Sequence, residues 1–252
     1  MKYIIVDLDD TLLRSDKSIS EYTIDVLNKV RAKGYLLIFN TARSYKSCKP
    51  YMELIRPDFS ILNGGVEIAN KDMEIIYRDE VDKDTTNRIL NLLKSSSDVL
   101  SYSIQNDELY SNDLPFIEKN KLAKYFAFNR DLDEGAFKIM ASSKKQDYWR
   151  NLAKELGLEF ETYWHGTWFR FSKATKYDGN LKLYEILNDN NPITYAFGDD
   201  TGDLMMLKEA TVGVALLNSH HNVLKEIKNV TKYDHDNDGV AHYIMDNLLG
   251  EL

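Results

Sequence analysis

The sequence has a single cysteine, Cys48, among its 252 residues. One cysteine allows neither an intramolecular disulfide nor a cysteine-rich zinc site, which favours a reducing compartment. No uninterrupted apolar run approaches the roughly 20 residues that a membrane-spanning helix requires. The apolar run after Met1 is short and ends at Asp7, so it lacks the form of a secretory signal. We therefore expect a cytoplasmic protein with no membrane partner.

Basic residues are in the minority: 32 Lys and Arg stand against 40 Asp and Glu, which gives a formal net charge of -8. Binding to nucleic acid depends on clustered Lys and Arg that displace counterions, so we expect no nucleic-acid partner. The glycine-rich nucleotide loops Gly-x-Gly-x-x-Gly and Gly-Lys-Ser/Thr are absent as well. A small phosphorylated partner is still compatible with this composition, because one local site can be positive on an acidic protein.

Short apolar runs recur along the chain, and each ends abruptly in polar residues. The polar residues at these ends are Asp7, Asn40-Thr41, Asn63-Gly64-Gly65, Gly198-Asp199-Asp200 and Asn218. Continuous apolar runs of this length are typical of strands buried on both faces, as in a parallel sheet. Helical patterns separate the runs, which predicts an α/β fold with right-handed crossovers. Ligands of such sheets bind at the carboxyl ends of the strands, where these polar residues fall.

Capping residues predict where helices of the α/β part begin and end. Ser20 is expected to cap one helix, which Gly34 ends. Asp178 is expected to cap a second helix, and a third runs from Asp203 to Ala210.

The middle of the chain has a different, α+β pattern. The elements predicted there are a helix over 144–156, short strands over 137–140, 159–163 and 168–171, and a turn at Trp164–Thr167. Because this pattern interrupts the α/β part, we predict a core of residues 1–80 and 173–252 and an inserted cap of residues 81–172.

The most informative pattern is Asp7-Leu8-Asp9-Asp10-Thr11, directly after the first strand. Carboxylates this close repel one another, and burial increases the repulsion, so a divalent cation beside them is favoured. Mg²⁺ binds carboxylate and carbonyl oxygens and leaves room for a substrate phosphate. Asp199 and Asp203 follow another strand, and a helix that begins there would turn both towards the first carboxylates.

Groups suited to bind phosphate accompany these acidic residues. Thr41, Ala42 and Arg43 follow the second strand and offer a hydroxyl, backbone N–H groups and a guanidinium. Lys176 lies near the predicted start of a helix and offers an ammonium group, with Lys173 as the alternative lysine. A metal, a lysine and a hydroxyl around a carboxylate form a phosphoryl-transfer site.

Taken together and in this order, the motifs resemble those of the haloacid dehalogenase-like hydrolase superfamily: Asp7-x-Asp9-x-Thr11, Thr41, Lys176 and Gly198-Asp199-x-x-x-Asp203. The long insertion between Thr41 and Lys176 is similar to the cap of the Cof-type subgroup. The tail, with Asn218 and Asp238-Gly239-Val240, resembles the ending of that subgroup. Asn218 is a candidate phosphate contact as well as a candidate turn former. The resemblance implies a Rossmann-like parallel-sheet core with an inserted α+β cap of the C2 type.

The resemblance also implies a role for each motif residue. Asp7 would be the nucleophile that forms an aspartyl phosphate. Asp9 would protonate the leaving alcohol and then activate water, which requires a raised pKa that the crowded carboxylates would supply. Thr41 and Lys176 would bind the phosphoryl oxygens. The implied ligands of Mg²⁺ are Asp7, the backbone carbonyl of Asp9, Asp199, and Asp203 directly or through water.

Three positions depart from the pattern of this superfamily. Asp10 stands where glycine is common, and Ala42 replaces another common glycine. Gly202 replaces an asparagine whose amide would be available to phosphate. None of these changes removes a residue that the implied chemistry needs.

The implied activity is hydrolysis of a small phosphomonoester by a monomer or a homodimer. A sugar phosphate is the first expectation for the substrate, with a flavin or another small phosphate as the alternative. Two other functions fit the same residues: a phosphotransferase or mutase, and a non-catalytic sensor of a phosphate ligand. The sensor would not need the second carboxylate, Asp9.

The run Asp234-His235-Asp236-Asn237-Asp238-Gly239 imitates the start of a calcium-binding loop. The twelfth position of such a loop carries a bidentate Glu, and here it is Met245. We therefore predict no calcium site in this run.

Overall fold

The computed structural model describes residues 1–163 and 166–250. In chain order, the strands are β1 (Lys2–Val6), β2 (Tyr35–Asn40), β3 (Phe59–Leu62), β4 (Glu67–Asn70), β5 (Ile75–Arg78), β6 (Ser101–Gln105), β7 (Leu109–Ser111), β8 (Ala123–Tyr125), β9 (Lys138–Ser142), β10 (Glu159–Thr162), β11 (Trp168–Ser172), β12 (Ile193–Gly198), β13 (Val212–Ala215) and β14 (Asn229–Val230). The α-helices are α1 (Glu21–Ala32), α2 (Tyr45–Ile55), α3 (Lys83–Ser95), α4 (Leu114–Lys119), α5 (Gln146–Glu155), α6 (Lys176–Ile186), α7 (Leu204–Glu209), α8 (His221–Glu226) and α9 (Gly239–Ile244). Within these described ranges, no helix is both long and apolar enough to cross a bilayer.

Two compact units make up the chain. The core unit consists of Met1–Arg43, Cys48–Tyr77 and Lys176–Leu252, and the cap unit consists of Ser44–Ser47 and Arg78–Thr175. The sequence predicted the chain boundaries at residues 80/81 and 172/173, whereas the structure has them at 77/78 and 175/176. The short stretch 44–47 that groups with the cap unit carries no signal in the sequence.

The core unit is built on one sheet with the strand order β14-β13-β12-β1-β2-β3-β4-β5. Strand β1 lies between β12 and β2 and is parallel to both, with Val6 opposite Phe197 and Phe39. This register carries the chain after each of the three strands to one edge of the sheet. The α/β core with a parallel sheet is confirmed. Strand β4 pairs antiparallel with β3, an addition that the sequence did not predict because this strand is polar at both ends, with Glu67 and Asn70, and forms no continuous apolar run.

Local chemistry explains the helix ends in the core unit. The side chain of Ser20 accepts a hydrogen bond from the Thr23 N–H at 3.0 Å, so the predicted cap of α1 is confirmed. Gly34 follows the helix with a φ of 85°, a left-handed conformation that favours glycine. The predicted cap at Asp178 is wrong, because α6 begins at Lys176 and Asp178 lies in its first turn. A carboxylate is stabilised there by the helix dipole.

The cap unit contains a second sheet with the order β10-β11-β9-β6-β7-β8. The two predicted strands are present as β10 and β11, and they pair antiparallel with Phe160 opposite Phe171. Trp149 of α5 stacks on Phe169 with ring centroids 6.0 Å apart, and both side chains are buried in the apolar core of this unit. The turn residues Trp164 and His165 lie outside the described residues.

Candidate active site

The first candidate residue, Asp7, directly follows the central strand β1. Its N–H donates to the carbonyl of Phe197 at 3.0 Å, so the pairing with β12 continues to this residue. The chain then turns tightly, and the hydroxyl of Thr11 donates to Oδ1 of Asp199 at 2.7 Å. This bond links the loop after β1 to the loop after β12.

The loop after β12 is shaped around Asp203. Both the Asp199 N–H and the Asp200 N–H donate to Oδ2 of Asp203 at 3.1 Å. The Asp203 side chain is fully buried. A Cβ at Gly198 would lie 2.5 Å from the Cβ of Asp203, so only glycine allows this close approach. The sequence therefore places a glycine where the backbone must pass a buried carboxylate.

Three carboxylates from these loops meet at one point. One oxygen each of Asp7, Asp199 and Asp203 lies within 4.8 Å of the others. Nζ of Lys176 lies 2.8 Å from Oδ1 of Asp7 and 2.6 Å from Oδ1 of Asp203. Three carboxylates and one ammonium leave two negative charges, which is the charge that a divalent cation balances. The donor set therefore fits the metal that the sequence implied.

Lys176 is held in place by the end of strand β2. Nδ2 of Asn40 donates to the backbone carbonyl of Lys176 and to Oδ1 of Asn180, both at 2.8 Å. All three side chains are buried, whereas the alternative lysine, Lys173, is exposed. The positioning role of Asn40 escaped the sequence analysis, because a polar residue at a strand end is not distinctive.

Burial dominates the electrostatics of the cluster. Burial raises the pKa of Asp7 well above its ordinary value, and the carboxylates of Asp203 and Asp199 add to this rise while Lys176 opposes it. Burial, together with Asp203, raises the pKa of Asp199 to about 7. For Lys176 burial lowers the pKa, but Asp203 and Asp7 outweigh it and raise the pKa overall. The carboxylates are thus crowded enough to gain from a bound cation.

Without a divalent cation, we expect the core unit to become less stable as the pH rises from about 4 to about 7. The folded pKa of Asp199 is raised from 3.8 to about 7. The folded state therefore binds more protons than the unfolded state across this window, and stability falls as the pH rises through it. The measurement is the melting temperature between pH 5 and pH 8 in chelator and in excess Mg²⁺. The slope should flatten in Mg²⁺, and identical slopes would contradict a metal at this cluster.

Asp9 does not join the other carboxylates. Its Oδ2 accepts from Nε of Arg43 and its Oδ1 from Nη2 of Arg43, both at 2.7 Å, and Nζ of Lys17 lies 3.0 Å from Oδ1. Burial raises the pKa of Asp9, but Arg43 and Lys17 outweigh it and hold the pKa below its ordinary value. The expectation of a raised pKa is therefore wrong, because this carboxylate faces two cations and not its acidic neighbours.

Arg43 and Lys17 are the two cations that contact Asp9. The guanidinium of Arg43 binds Asp9 and lies over the ring of Tyr51, 4.9 Å from the centroid, and its use as a phosphate contact stays a prediction. Lys17 belongs to no motif. It lies in a turn with a φ of 66°, from which its side chain reaches back to Asp9.

Thr41 and Ala42 occupy the expected strand end. The Thr41 N–H donates to the carbonyl of Ile61 at 2.9 Å, and the Thr41 hydroxyl accepts from the Arg43 N–H at 3.1 Å. Thr41 is buried beside the sheet, and Ala42 is exposed. Their use as phosphate contacts stays a prediction.

Asn218 bridges two loops of the core unit. Its Nδ2 donates to the carbonyl of Asp10 at 2.8 Å, and its Oδ1 accepts from the His235 N–H at 3.0 Å. Both ends of this amide are therefore engaged with the backbone.

Asp10 has a φ of 56°, which explains why glycine is common at this position and why Asp, which tolerates the left-handed region, replaces it. Gly202 lies in a 3₁₀ turn over Thr201–Asp203.

Comparisons with known proteins agree with this geometry. A family model described as haloacid dehalogenase-like hydrolase matches residues 4–244. The chain is 26% identical to the 5-amino-6-(5-phospho-D-ribitylamino)uracil phosphatase YitU of Bacillus subtilis, over 96% of this chain and 95% of the relative. It is 23% identical to the pyridoxal phosphate phosphatase YbhA of Escherichia coli, over 98% and 99% of the two chains. The solved structure of the HAD subclass IIB sugar phosphatase BT4131 superposes with a TM-score of 0.79 at 18% identity, over 97% of this chain and 98% of that one.

The family match extends over both units and over every motif residue at the sheet edge. The two relatives from Bacillus subtilis and Escherichia coli span nearly the whole chain, and both are named phosphatases. A phosphatase of this kind acts on a small phosphorylated substrate, and the cluster of Asp7, Asp199 and Asp203 can hold a metal. The chain belongs to the haloacid dehalogenase-like hydrolases, and it is an enzyme of their phosphatase type.

Proposed function

We propose that this chain is a Mg²⁺-dependent phosphatase that hydrolyses a small phosphomonoester through an aspartyl phosphate on Asp7. The observation that carries the proposal is the meeting of Asp7, Asp199 and Asp203 around the ammonium of Lys176. A buried carboxylate with a lysine at 2.8 Å and further acidic groups beside it suits phosphoryl transfer.

The residues that would hold Mg²⁺ are Asp7, Asp199, the backbone carbonyl of Asp9, and Asp203 directly or through water. When bound, Mg²⁺ supplies the positive charge that offsets the carboxylates and the phosphoryl oxygens. The Asp9 side chain is occupied by Arg43 and Lys17, so any part of Asp9 in metal binding falls to its carbonyl.

The chain's own residues account for the bonds that change. A carboxylate oxygen of Asp7 attacks phosphorus, the bond from phosphorus to the ester oxygen breaks, and Asp9 gives its proton to the departing alkoxide. Lys176, fixed by Asn40, binds a phosphoryl oxygen and offsets its growing charge. Water then attacks phosphorus, Asp9 takes the proton of that water, and Asp7 is released as a free carboxylate.

The contact between Arg43 and Asp9 adds a condition to the first step. A carboxylate whose two oxygens both accept from Arg43 does not donate a proton, so Asp9 must part from Arg43 before the alcohol leaves. The phosphate dianion of the substrate offers Arg43 a second bidentate partner. Substrate binding can therefore free Asp9 to take up from solvent the proton that it then gives to the alkoxide.

A sugar phosphate is the substrate class that we propose first. The similarity to a HAD subclass IIB sugar phosphatase supports it. The competing class is phosphates that carry a nitrogen heterocycle, because two relatives are named for a ribitylaminouracil phosphate and for pyridoxal phosphate. The test is a panel of sugar phosphates, flavin and pyridoxal phosphates, with and without Mg²⁺. Alcohol and inorganic phosphate should appear in equal amounts. Transfer to a second alcohol without release of phosphate would favour a phosphotransferase.

Asp9→Asn is expected to lower turnover by about a hundredfold, since a positioned acid or base contributes a factor of this order. Binding of inorganic phosphate, measured by calorimetry in Mg²⁺, should change little because the Asp7 cluster is intact. A sensor would keep its ligand response with this substitution. Turnover equal to that of the wild type would remove Asp9 from the mechanism.

A further inference from the structure

The C-terminal segment 234–238 turns back onto the loop that follows β1. One carboxylate, that of Asp238, accepts from three side chains of that loop and the start of α1. Its Oδ2 accepts from Nη2 of Arg14 at 2.8 Å, and its Oδ1 accepts from the hydroxyls of Ser20 at 2.8 Å and Thr23 at 3.2 Å. These partners are 224, 218 and 215 residues away in the chain.

A second carboxylate of the segment contacts the same loop. Oδ1 of Asp236 accepts from the Ser15 N–H at 2.8 Å, and its Oδ2 accepts from the Ser15 hydroxyl at 2.7 Å. Nε2 of His235 lies 3.1 Å from that hydroxyl. The acidic residues of the run that resembles a calcium-binding loop therefore accept hydrogen bonds from N–H and O–H groups of the protein itself.

The backbone of the segment is built for this contact. Asp238 has a φ of 56°, in the left-handed region that Asp and Asn tolerate. A Cβ at the next residue, Gly239, would lie 2.2 Å from the carbonyl of Tyr233. Two successive residues with such demands fix the direction in which the Asp238 carboxylate points.

The loop held by this segment is the one that reaches Asp9. Within it, the Arg14 N–H donates to the carbonyl of Ser18 at 3.0 Å, and the Lys17 N–H donates to the carbonyl of Arg14 at 2.8 Å. Lys17, at the turn, places its Nζ 3.0 Å from Oδ1 of Asp9. The chain of contacts from Asp238 through Arg14 to Lys17 therefore ends on the proposed acid and base.

We propose that Asp238 is a positioning residue for Asp9, which it serves by anchoring the loop 10–20 through Arg14 and Ser20. The inference rests on the proposed function in one respect, the part of Asp9 as the acid. Asp238 itself contacts neither the reacting atoms nor the cluster of Asp7. Once Arg43 has turned to the phosphate, Lys17 is the contact that keeps the Asp9 carboxylate in place. Loss of the anchor should thus weaken proton donation more than binding.

The variant that tests this is Asp238→Asn. Asparagine keeps the shape and tolerates the positive φ, but it removes the charge that holds Arg14. The matched control is Asp246→Asn, an exposed carboxylate of the same C-terminal region that pairs with Lys232 at 2.8 Å. Both variants are first compared with the wild type in thermal melting.

The readout is kcat/KM for a series of phosphate esters, from p-nitrophenyl phosphate to alkyl phosphates. A nitrophenolate leaves without help from an acid, whereas an alkoxide needs the proton. Asp238→Asn should lower kcat/KM by about tenfold for alkyl esters and about twofold or less for p-nitrophenyl phosphate, a fraction of the full effect of a positioned acid. The Asp246→Asn control should follow the wild type across the series. Equal losses for all esters would mean a merely structural role and would overturn the inference.

Hydrogen exchange gives a second readout that is independent of activity. The amide of Lys17 should exchange faster in Asp238→Asn than in the wild type and the control. Unchanged exchange at Lys17 would overturn the anchor. A wild type that releases phosphate from no ester would count against the proposed function itself, and the exchange rates would still decide whether Asp238 fixes the loop.

Discussion

Asp7→Asn is expected to reduce turnover on the order of 10⁵-fold, the scale seen when a catalytic nucleophile is removed. The amide cannot attack phosphorus to give a stable phosphoenzyme. The fold should survive, because the substitution keeps the shape of a buried side chain and its oxygen can still accept from Lys176. It also removes a carboxylate whose pKa is raised by burial and by the neighbouring carboxylates of Asp203 and Asp199, so a charge that is costly to bury is lost. The metal-free variant should therefore melt no lower than the wild type.

Two measurements check this expectation. Release of inorganic phosphate reports turnover, and the melting temperature in chelator reports the fold. The control is Asp25→Asn, an exposed carboxylate on α1 that pairs with Lys29, and it should leave turnover unchanged. Turnover that survives Asp7→Asn would sink the aspartyl-phosphate mechanism. An inactive variant that melts well below the wild type would report misfolding.

Lys176→Met is expected to lower the free energy of unfolding by about 3 kcal/mol at pH 7, because it leaves buried carboxylates without their ammonium partner. Lys176 is 6% exposed and bonds both Asp7 and Asp203. Turnover should fall by roughly a thousandfold, since the phosphoryl oxygens lose a cation that is held in place before the reaction. Mg²⁺ should restore part of the stability and little of the turnover.

The stability loss in Lys176→Met should shrink as the pH falls. The lysine lowers the pKa of Asp7, so its removal raises that pKa further above its unfolded value. A group with a raised folded pKa takes up its proton on folding, and the destabilisation is relieved at lower pH. Urea unfolding at pH 8 and pH 5.5 measures this. Lys173→Met, three residues earlier and exposed, should change the free energy of unfolding by no more than about 0.5 kcal/mol. A larger loss for Lys173→Met would mean that the wrong lysine has been assigned.

The meeting of Asp7 with Asp199 could be predicted from the sequence, because parallel strands bring their carboxyl ends to one edge. Because Val6 lies opposite Phe197, the loops that carry Asp7 and Asp199 begin at the same level of the sheet. The pairing of Asp9 with Arg43 could not be predicted in the same way. The partner of a loop side chain depends on its rotamer and on nearby charges, and neither follows a fixed spacing in the sequence.

Short elements set another limit on prediction. Strands β6 to β8 of the cap unit are 5, 3 and 3 residues long, too short for a two-residue alternation to stand out. The start of α6 was placed two residues late, at Asp178, because capping residues and first-turn carboxylates have the same composition. The contacts of Asp238 could not be predicted from the sequence, because its partners lie more than 200 residues away in the chain.

The central position of β1 has a consequence for how the enzyme fails. Tyr3, Ile4, Ile5 and Val6 are at most 1% exposed, and both edges of the strand are paired. Segments with this degree of enclosure open only when the surrounding domain loses its structure as a whole. Asp7, the proposed nucleophile, directly follows a part of the core unit that opens last. We therefore expect fraying at the surface to leave the position of Asp7 unchanged and heat inactivation to coincide with unfolding of the core unit as a whole.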